Sequence, residues 1–150
     1  MTFRQLYMPI HATLYKTALA ILRDHNHAED ALQDALLLGV KNFGKLRDEQ
    51  YFKTWMTRIL INVCNDYRKP DTLPLDIAIE IPAPDNNQDH LHLLDCLEKL
   101  DSKSREIIVL RFWSRLSQEE IAETLKLPLG TVKSRLSRAL RKMRYFYEDT

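Results

Sequence analysis

The stretch Leu116-Ser117-Gln118-Glu119-Glu120-Ile121-Ala122-Glu123, then Lys126-Leu127-Pro128-Leu129-Gly130-Thr131-Val132-Lys133-Ser134-Arg135-Leu136, decides the fold of this chain. Ser117 and Glu120 have the spacing of a capping box, and Leu116 with Ile121 that of a hydrophobic staple, so a short helix opens there and ends near Leu125. After Lys126–Gly130 a last helix follows, with Leu129, Val132, Leu136, Leu140 and Met143 spaced three, four, four and three. Between Gly130 and Arg144 stand six cations, Lys133, Arg135, Arg138, Arg141, Lys142 and Arg144, and no acid. A capped helix, a tight turn and a second helix with a basic and hydroxylic polar face make helix-turn-helix geometry, in which the second helix enters the major groove. With Leu129, Val132 and Leu136 turned inward, Thr131, Lys133, Ser134, Arg135 and Arg138 are left outside. Arg and Lys match guanine acceptors or phosphates, and Thr131 and Ser134 suit phosphates near the helix N-terminus. The plainer alternative is a solvated basic helix on a bundle.

Upstream, helical periodicity runs through Leu91, Leu93, Leu94, Leu97 and Leu100, and Asp101 is placed to cap a helix carrying Ile107, Ile108, Leu110 and Phe112. At the other end, Phe3, Leu6, Tyr7, Ile10, Leu14, Ala18 and Ile21 keep helical spacing, with Pro9 marking a kink or a fresh start. Asn26 and Glu29 read as an N-cap pair, predicting a helix from about His27 to Asn42. A loop around Gly44–Glu49 precedes a third helix, about Tyr51–Lys69, with Phe52, Trp55, Ile59 and Val63 on one stripe. From Pro70 to His90 the texture changes, with four of the six prolines, five acids and no Lys or Arg. That composition reads as an extended or disordered acidic linker, whose 21 residues reach roughly 70 Å when stretched. Leu75–Ile81 holds the one short alternation, between prolines. The expectation is an all-α protein: helical domains at 1–69 and 91–150, joined by a flexible acidic linker at 70–90.

Over all 150 residues, 22 Lys and Arg nearly balance 21 Asp and Glu, for a net charge of +1. The average hides a pattern: +3 over residues 1–69, −6 over 70–100 and +4 over 101–150. Two basic blocks around an acidic middle point to a polyanion for the ends and a separate role for the centre. With 45% hydrophobic residues the chain can bury a core, which excludes a disordered chain. No apolar run of about 18 residues exists and no secretion signal opens the chain, so a soluble, cytoplasmic protein without membrane contact is the expectation.

The helix-turn-helix residues quoted above resemble the C-terminal domain of the bacterial sigma-70 family. The N-terminal block agrees: Ala28-Glu29-Asp30-Ala31-Leu32-Gln33-Asp34 resembles the family's polymerase-binding helix, and Phe52-Lys53-Thr54-Trp55-Met56-Thr57-Arg58-Ile59, with Asn62 and Asp66, resembles its −10-element helix. The order, the spacing and the length, which admits only these two domains, resemble the extracytoplasmic-function subgroup. The resemblance implies that Asp30, Gln33 and Asp34, on one helix face by their spacing, grip the coiled coil of the largest subunit of core RNA polymerase. It implies that Asn62 reads an unstacked base of the opened −10 strand while Lys53, Arg58, Arg68 and Lys69 supply charge along its backbone. Trp55 could stack on a base, although its stripe reads more simply as core. Thr131, Lys133, Ser134, Arg135 and Arg138 become the −35 duplex contacts, promoter DNA a partner, and an anti-sigma factor a further one.

Two positions depart from the family pattern. Lys126 stands where glycine is usual in the turn, which predicts either a non-glycine residue at positive φ or a different turn. The loop Phe43–Gln50 lacks the family's common arginine-glycine pairing. Cofactor, metal and catalytic signals are weak: His92 and Cys96 are four apart beside His90, but no second cluster completes a zinc set. His25 and His27 read as exposed, and Cys64 as a small buried hydrophobe. The rival readings are a stand-alone helix-turn-helix regulator and a sigma-like adaptor that binds a regulator without initiating; an enzyme is not expected.

Overall fold

The computed structural model describes residues 1–68 and 88–148. The chain divides into two compact units, Met1–Glu80 and Ile81–Thr150, and the described residues of both are helical, without strands. Lys69, the alternation at 75–81 and most of the expected linker lie outside the described residues.

The first unit holds α1 (Phe3–Tyr7), α2 (His11–Leu22), α3 (His25–Asn42) and α4 (Phe52–Tyr67). Pro9 marks a fresh start, sitting early in a 3₁₀ turn, Met8–Ile10, between α1 and α2. Asp24, and not Asn26, caps α3. Its backbone is extended, and its Oδ1 accepts the amides of Asn26 at 2.9 Å and His27 at 3.4 Å. Glu29, expected in the capping pair, faces His25 Nε2 at 3.1 Å. The inward side of α3 is built from small residues, Ala28, Ala31, Ala35 and Gly39, with Leu32. A Cβ on Gly39 would lie 2.8 Å from Met56 Sδ and 3.1 Å from Phe3 Cζ, so hydrogen at this position lets α3 lie close to α4 and α1. The buried stripe of α4 sits beside the expected one. Phe52, Met56, Leu60, Val63 and Cys64 are buried, whereas Trp55 and Ile59 are half-buried at its edge. Phe3, Phe43 and Phe52 meet edge-on at 5.3–6.2 Å between ring centroids, and Trp55 extends that cluster outward, 5.8 Å from Phe52.

The second unit holds α5 (Gln88–Glu98), α6 (Ser102–Ile108), α7 (Gln118–Leu125) and α8 (Leu129–Glu148). α5 starts three residues before Leu91, so the last three residues assigned to the linker are helical. Asp101 caps α6 as its sequence predicts, accepting the Ser104 amide and, through its other oxygen, Lys142 Nζ at 3.1 Å. The Arg105 guanidinium donates to the carbonyls of Leu97, Glu98 and Leu100, the last at 2.7 Å, and so satisfies the end of α5. After Ile108 the helix widens into a π turn, Val109–Trp113. Leu110 stays buried there while Phe112 turns 52% exposed. The buried stripe of α8 is Val132, Leu136, Ala139 and Met143. Leu140, expected inside, is 41% exposed, because Ala139 takes the inward position in that turn.

Candidate functional site

The turn between α7 and α8 fixes how α8 is presented. Ser117 Oγ accepts the Glu120 amide at 3.0 Å and Glu120 Oε1 accepts the Ser117 amide at 2.9 Å, closing the capping box. Leu116 and Ile121, the staple pair, are fully buried. At the other end of α7, Lys126 takes φ 55° and ψ 49°. Its amide reaches the Glu123 carbonyl at 3.3 Å and that of Leu127 reaches Ala122 at 2.9 Å, a Schellman ending. Lysine therefore adopts the left-handed conformation that glycine holds more cheaply, and the turn keeps its shape.

On α8, Lys133, Ser134 and Arg138 are exposed, while Thr131 and Arg135 are half-buried along one border of that face. Helical spacing adds members that the sequence reading passed over. Gly130, Ser137 and Arg141 are exposed and run down the middle of the face, between Lys133 on one side and Ser134 and Arg138 on the other. Among the described residues, Lys133, Arg135, Arg138 and Arg141 have no acidic partner, whereas Lys142 is held by Asp101 and Arg144 approaches Glu148 at 3.6 Å.

Asp30, Gln33 and Asp34 come together, exposed, on the outer side of α3. Leu37, 69% exposed, lies in the centre of the same face, with Leu38 and Val40 exposed at its margins. Their exposure follows from the alanines: small residues face inward and large apolar ones outward, the reverse of a core helix. A count of i+3 and i+4 neighbours of Asp34 would have found Leu37. The Asp34 carboxylate accepts the Tyr67 hydroxyl at 2.7 Å. That bond, followed by burial and the charges of Asp34 and Asp30, pushes the Tyr67 phenol up to about 12.

Of the residues expected around the −10 strand, the five described ones do not share a face. Trp55, Arg58 and Asn62 line one side of α4, with Asn62 exposed and the other two half-buried. Lys53 lies roughly 160° around the helix from Trp55. The Arg68 guanidinium donates to the Ile21 carbonyl at the end of α2, where it has a structural role. The loop ahead of α4 forms two short turns, Phe43–Lys45 and Glu49–Tyr51, the second capped by Asp48.

Residues 90–143 match the family model Sigma-70, region 4, and residues 6–71 match Sigma-70 region 2. The RNA polymerase sigma-E factor of Streptomyces coelicolor is 33% identical over 137 residues, covering 87% of this chain and 77% of that protein. The ECF RNA polymerase sigma factor SigW of Bacillus subtilis is 31% identical over 152 residues, covering 86% and 81%. The chain belongs to the extracytoplasmic-function sigma factors of the sigma-70 family. Among solved structures, this sigma factor is similar to RpoE of Bartonella quintana, crystallised with the anti-sigma factor NepR, with a TM-score of 0.80 at 25% identity over 97% of this chain and 96% of that one. CnrH, solved with the cytosolic domain of CnrY, gives a TM-score of 0.76 at 25% identity over 98% and 88%. The faces on α3 and α4 fall within the sigma factor's region 2, and the α7–α8 face within its region 4.

The buried cysteines and three of the histidines pair or pack within the fold. Cys64 is buried, which pushes its thiol up to about 12, far from a reactive thiolate. His25 and His27, expected to be exposed, are half-buried: His25 bonds the Tyr15 hydroxyl and faces Glu29, while His27 Nδ1 lies 3.2 Å from Asp24. His92 Nε2 contacts the Tyr147 carbonyl at 3.1 Å and Cys96 Sγ at 3.9 Å, fastening the end of α8 to α5. No group of three or more metal-ligating side chains occurs among the described residues.

Proposed function

We propose that this sigma factor docks on core RNA polymerase through Asp30, Gln33, Asp34 and Leu37 of α3. It captures the opened −10 strand along Trp55, Arg58 and Asn62 of α4, and it reads −35 duplex with α8. The observation that carries the reading is the pairing of a region 2 and a region 4 match with separate helical units, each bearing an open face of fitting chemistry. From Gly130 to Arg141 the α8 face extends about 16 Å, longer than a major groove of about 12 Å is wide. Lys133, Ser134 and Arg138 thus meet the groove while Arg141 reaches a phosphate. Residues 1–69 form the polymerase and −10 domain, the segment from α5 onward, 88–150, the −35 domain, and 70–87 the connection. Two modest sites on one chain give high combined affinity through effective concentration.

No described helix is long and apolar enough to cross a membrane, and the protein works with the polymerase in the cytoplasm. It contributes binding and leaves bond-making to the polymerase. An anti-sigma partner covers these faces, a reading supported by the similarity to RpoE of Bartonella quintana, which was crystallised with the anti-sigma factor NepR. Addition of the full chain to bacterial core polymerase, with a genomic fragment library as template, tests the reading. Transcripts starting downstream of a shared −35/−10 pair support it. Polymerase binding without initiation would favour an adaptor, and duplex binding without polymerase a stand-alone regulator.

A further inference from the structure

We infer that Tyr67 is a positioning residue for polymerase docking, its hydroxyl holding the Asp34 carboxylate in the orientation that the polymerase meets. This rests on the docking face proposed above. Asp34 is exposed and would be fully served by water, yet it accepts a 2.7 Å hydrogen bond from a residue 33 positions away, at the last position of α4. Asp30, one turn before it, is a like charge at i,i+4, and a phenol hydroxyl on Asp34 partly offsets that repulsion. Tyr67 is itself held. Its ring lies 6.2 Å from the His27 imidazole, and the next residue, Arg68, ties the end of α4 to the Ile21 carbonyl of α2. The bond engages Oδ2, which leaves Oδ1 to a cationic partner on a side chain already held. A side chain ordered before docking loses less freedom on docking.

Removal of the hydroxyl in Tyr67→Phe weakens core polymerase binding about three- to tenfold, the cost of ordering one side chain. The test compares the full chain with Tyr67→Phe, Asp34→Ala and the double variant. Polymerase affinity is measured at low ionic strength, where weak charged contacts stay measurable, and each melting temperature is read in parallel. The expected result is a three- to tenfold loss for Tyr67→Phe in the native background and none in the Asp34→Ala background. An equal loss in both backgrounds makes Tyr67 a plain brace and overturns the inference, as does no loss in the native one. Asp34→Ala binding polymerase as well as the native chain would instead bring down the docking face, and this inference with it.

Discussion

α8 keeps its expected DNA contacts on or beside one open face, whereas α4 scatters those expected of it around its circumference. The difference lies in how each helix is packed. α8 buries a narrow stripe, Val132, Leu136, Ala139 and Met143, and leaves Lys133, Ser134, Ser137, Arg138 and Arg141 exposed. α4 is covered over a broad arc, so Thr54, Thr57 and Ile61 are buried along with Phe52, Met56 and Leu60. On a helix buried along one stripe, cations off it such as Lys133, Arg138 and Arg141 are open to DNA, although Lys142 is held by Asp101. On one packed from several sides, a cation such as Arg68 is recruited to satisfy a carbonyl of its neighbour. Arg105 does the same for α5, so each unit uses an arginine from a later helix to finish an earlier one.

The largest effect is expected where the two units are separated by function. Asp30→Lys with Asp34→Lys should lower core polymerase affinity by about 100-fold or more through like-charge contact, while binding of −35 duplex by the full chain stays unchanged. Lys133→Glu with Arg138→Glu should do the reverse; titrations of all four combinations check both. Next, Arg105→Met leaves the α5 carbonyls without their donor and should destabilise the C-terminal unit by about 2 kcal/mol. Calorimetry should place that loss in one transition and leave the N-terminal one unmoved. The left-handed C-caps of α2 and α7 should part in the same way. Lys126→Gly, with an exposed side chain at φ 55°, should gain about 1 kcal/mol. Arg23→Gly, at the same φ, removes a side chain only 8% exposed and should not gain.

The smallest effect concerns Asp101, whose carboxyl is held down to about 2, first by its hydrogen bond with Ser104 and then by Lys142. A depressed carboxyl contributes stability that is present above the ordinary aspartate range and lost as pH falls through about 2. Asp101→Asn keeps the cap without the charge. Its melting temperature should lie slightly below the native one at pH 6 and converge with it as pH falls towards 2.

Much of this was legible because it is local. The capping box at Ser117, the cap at Asp101 and the staple of Leu116 with Ile121 depend on residues within one turn, and all three form. The helix-turn-helix followed from them. What escaped depends on a choice between near neighbours or on a contact distant in sequence. Asp24, and not Asn26, caps α3, because Asp24 keeps the extended backbone from which its Oδ1 accepts the amides of Asn26 and His27. Leu140 and Phe112 face outward because Ala139 and a π turn reset which side is buried. Leu37 was passed over because an exposed leucine reads as core until its neighbours are seen to be alanines. Tyr67 reaches Asp34 from 33 residues away, and no short-range pattern announces that.

The division of labour between α3 and α8 is tested most directly by site-specific photo-crosslinking of the full chain, bound to core polymerase and promoter DNA. A probe at Gln33 should attach to the largest polymerase subunit and leave DNA unmarked, and a probe at Arg138 should attach to duplex DNA near the −35 position. Crosslinks from Gln33 to DNA, or from Arg138 to polymerase alone, would contradict the account.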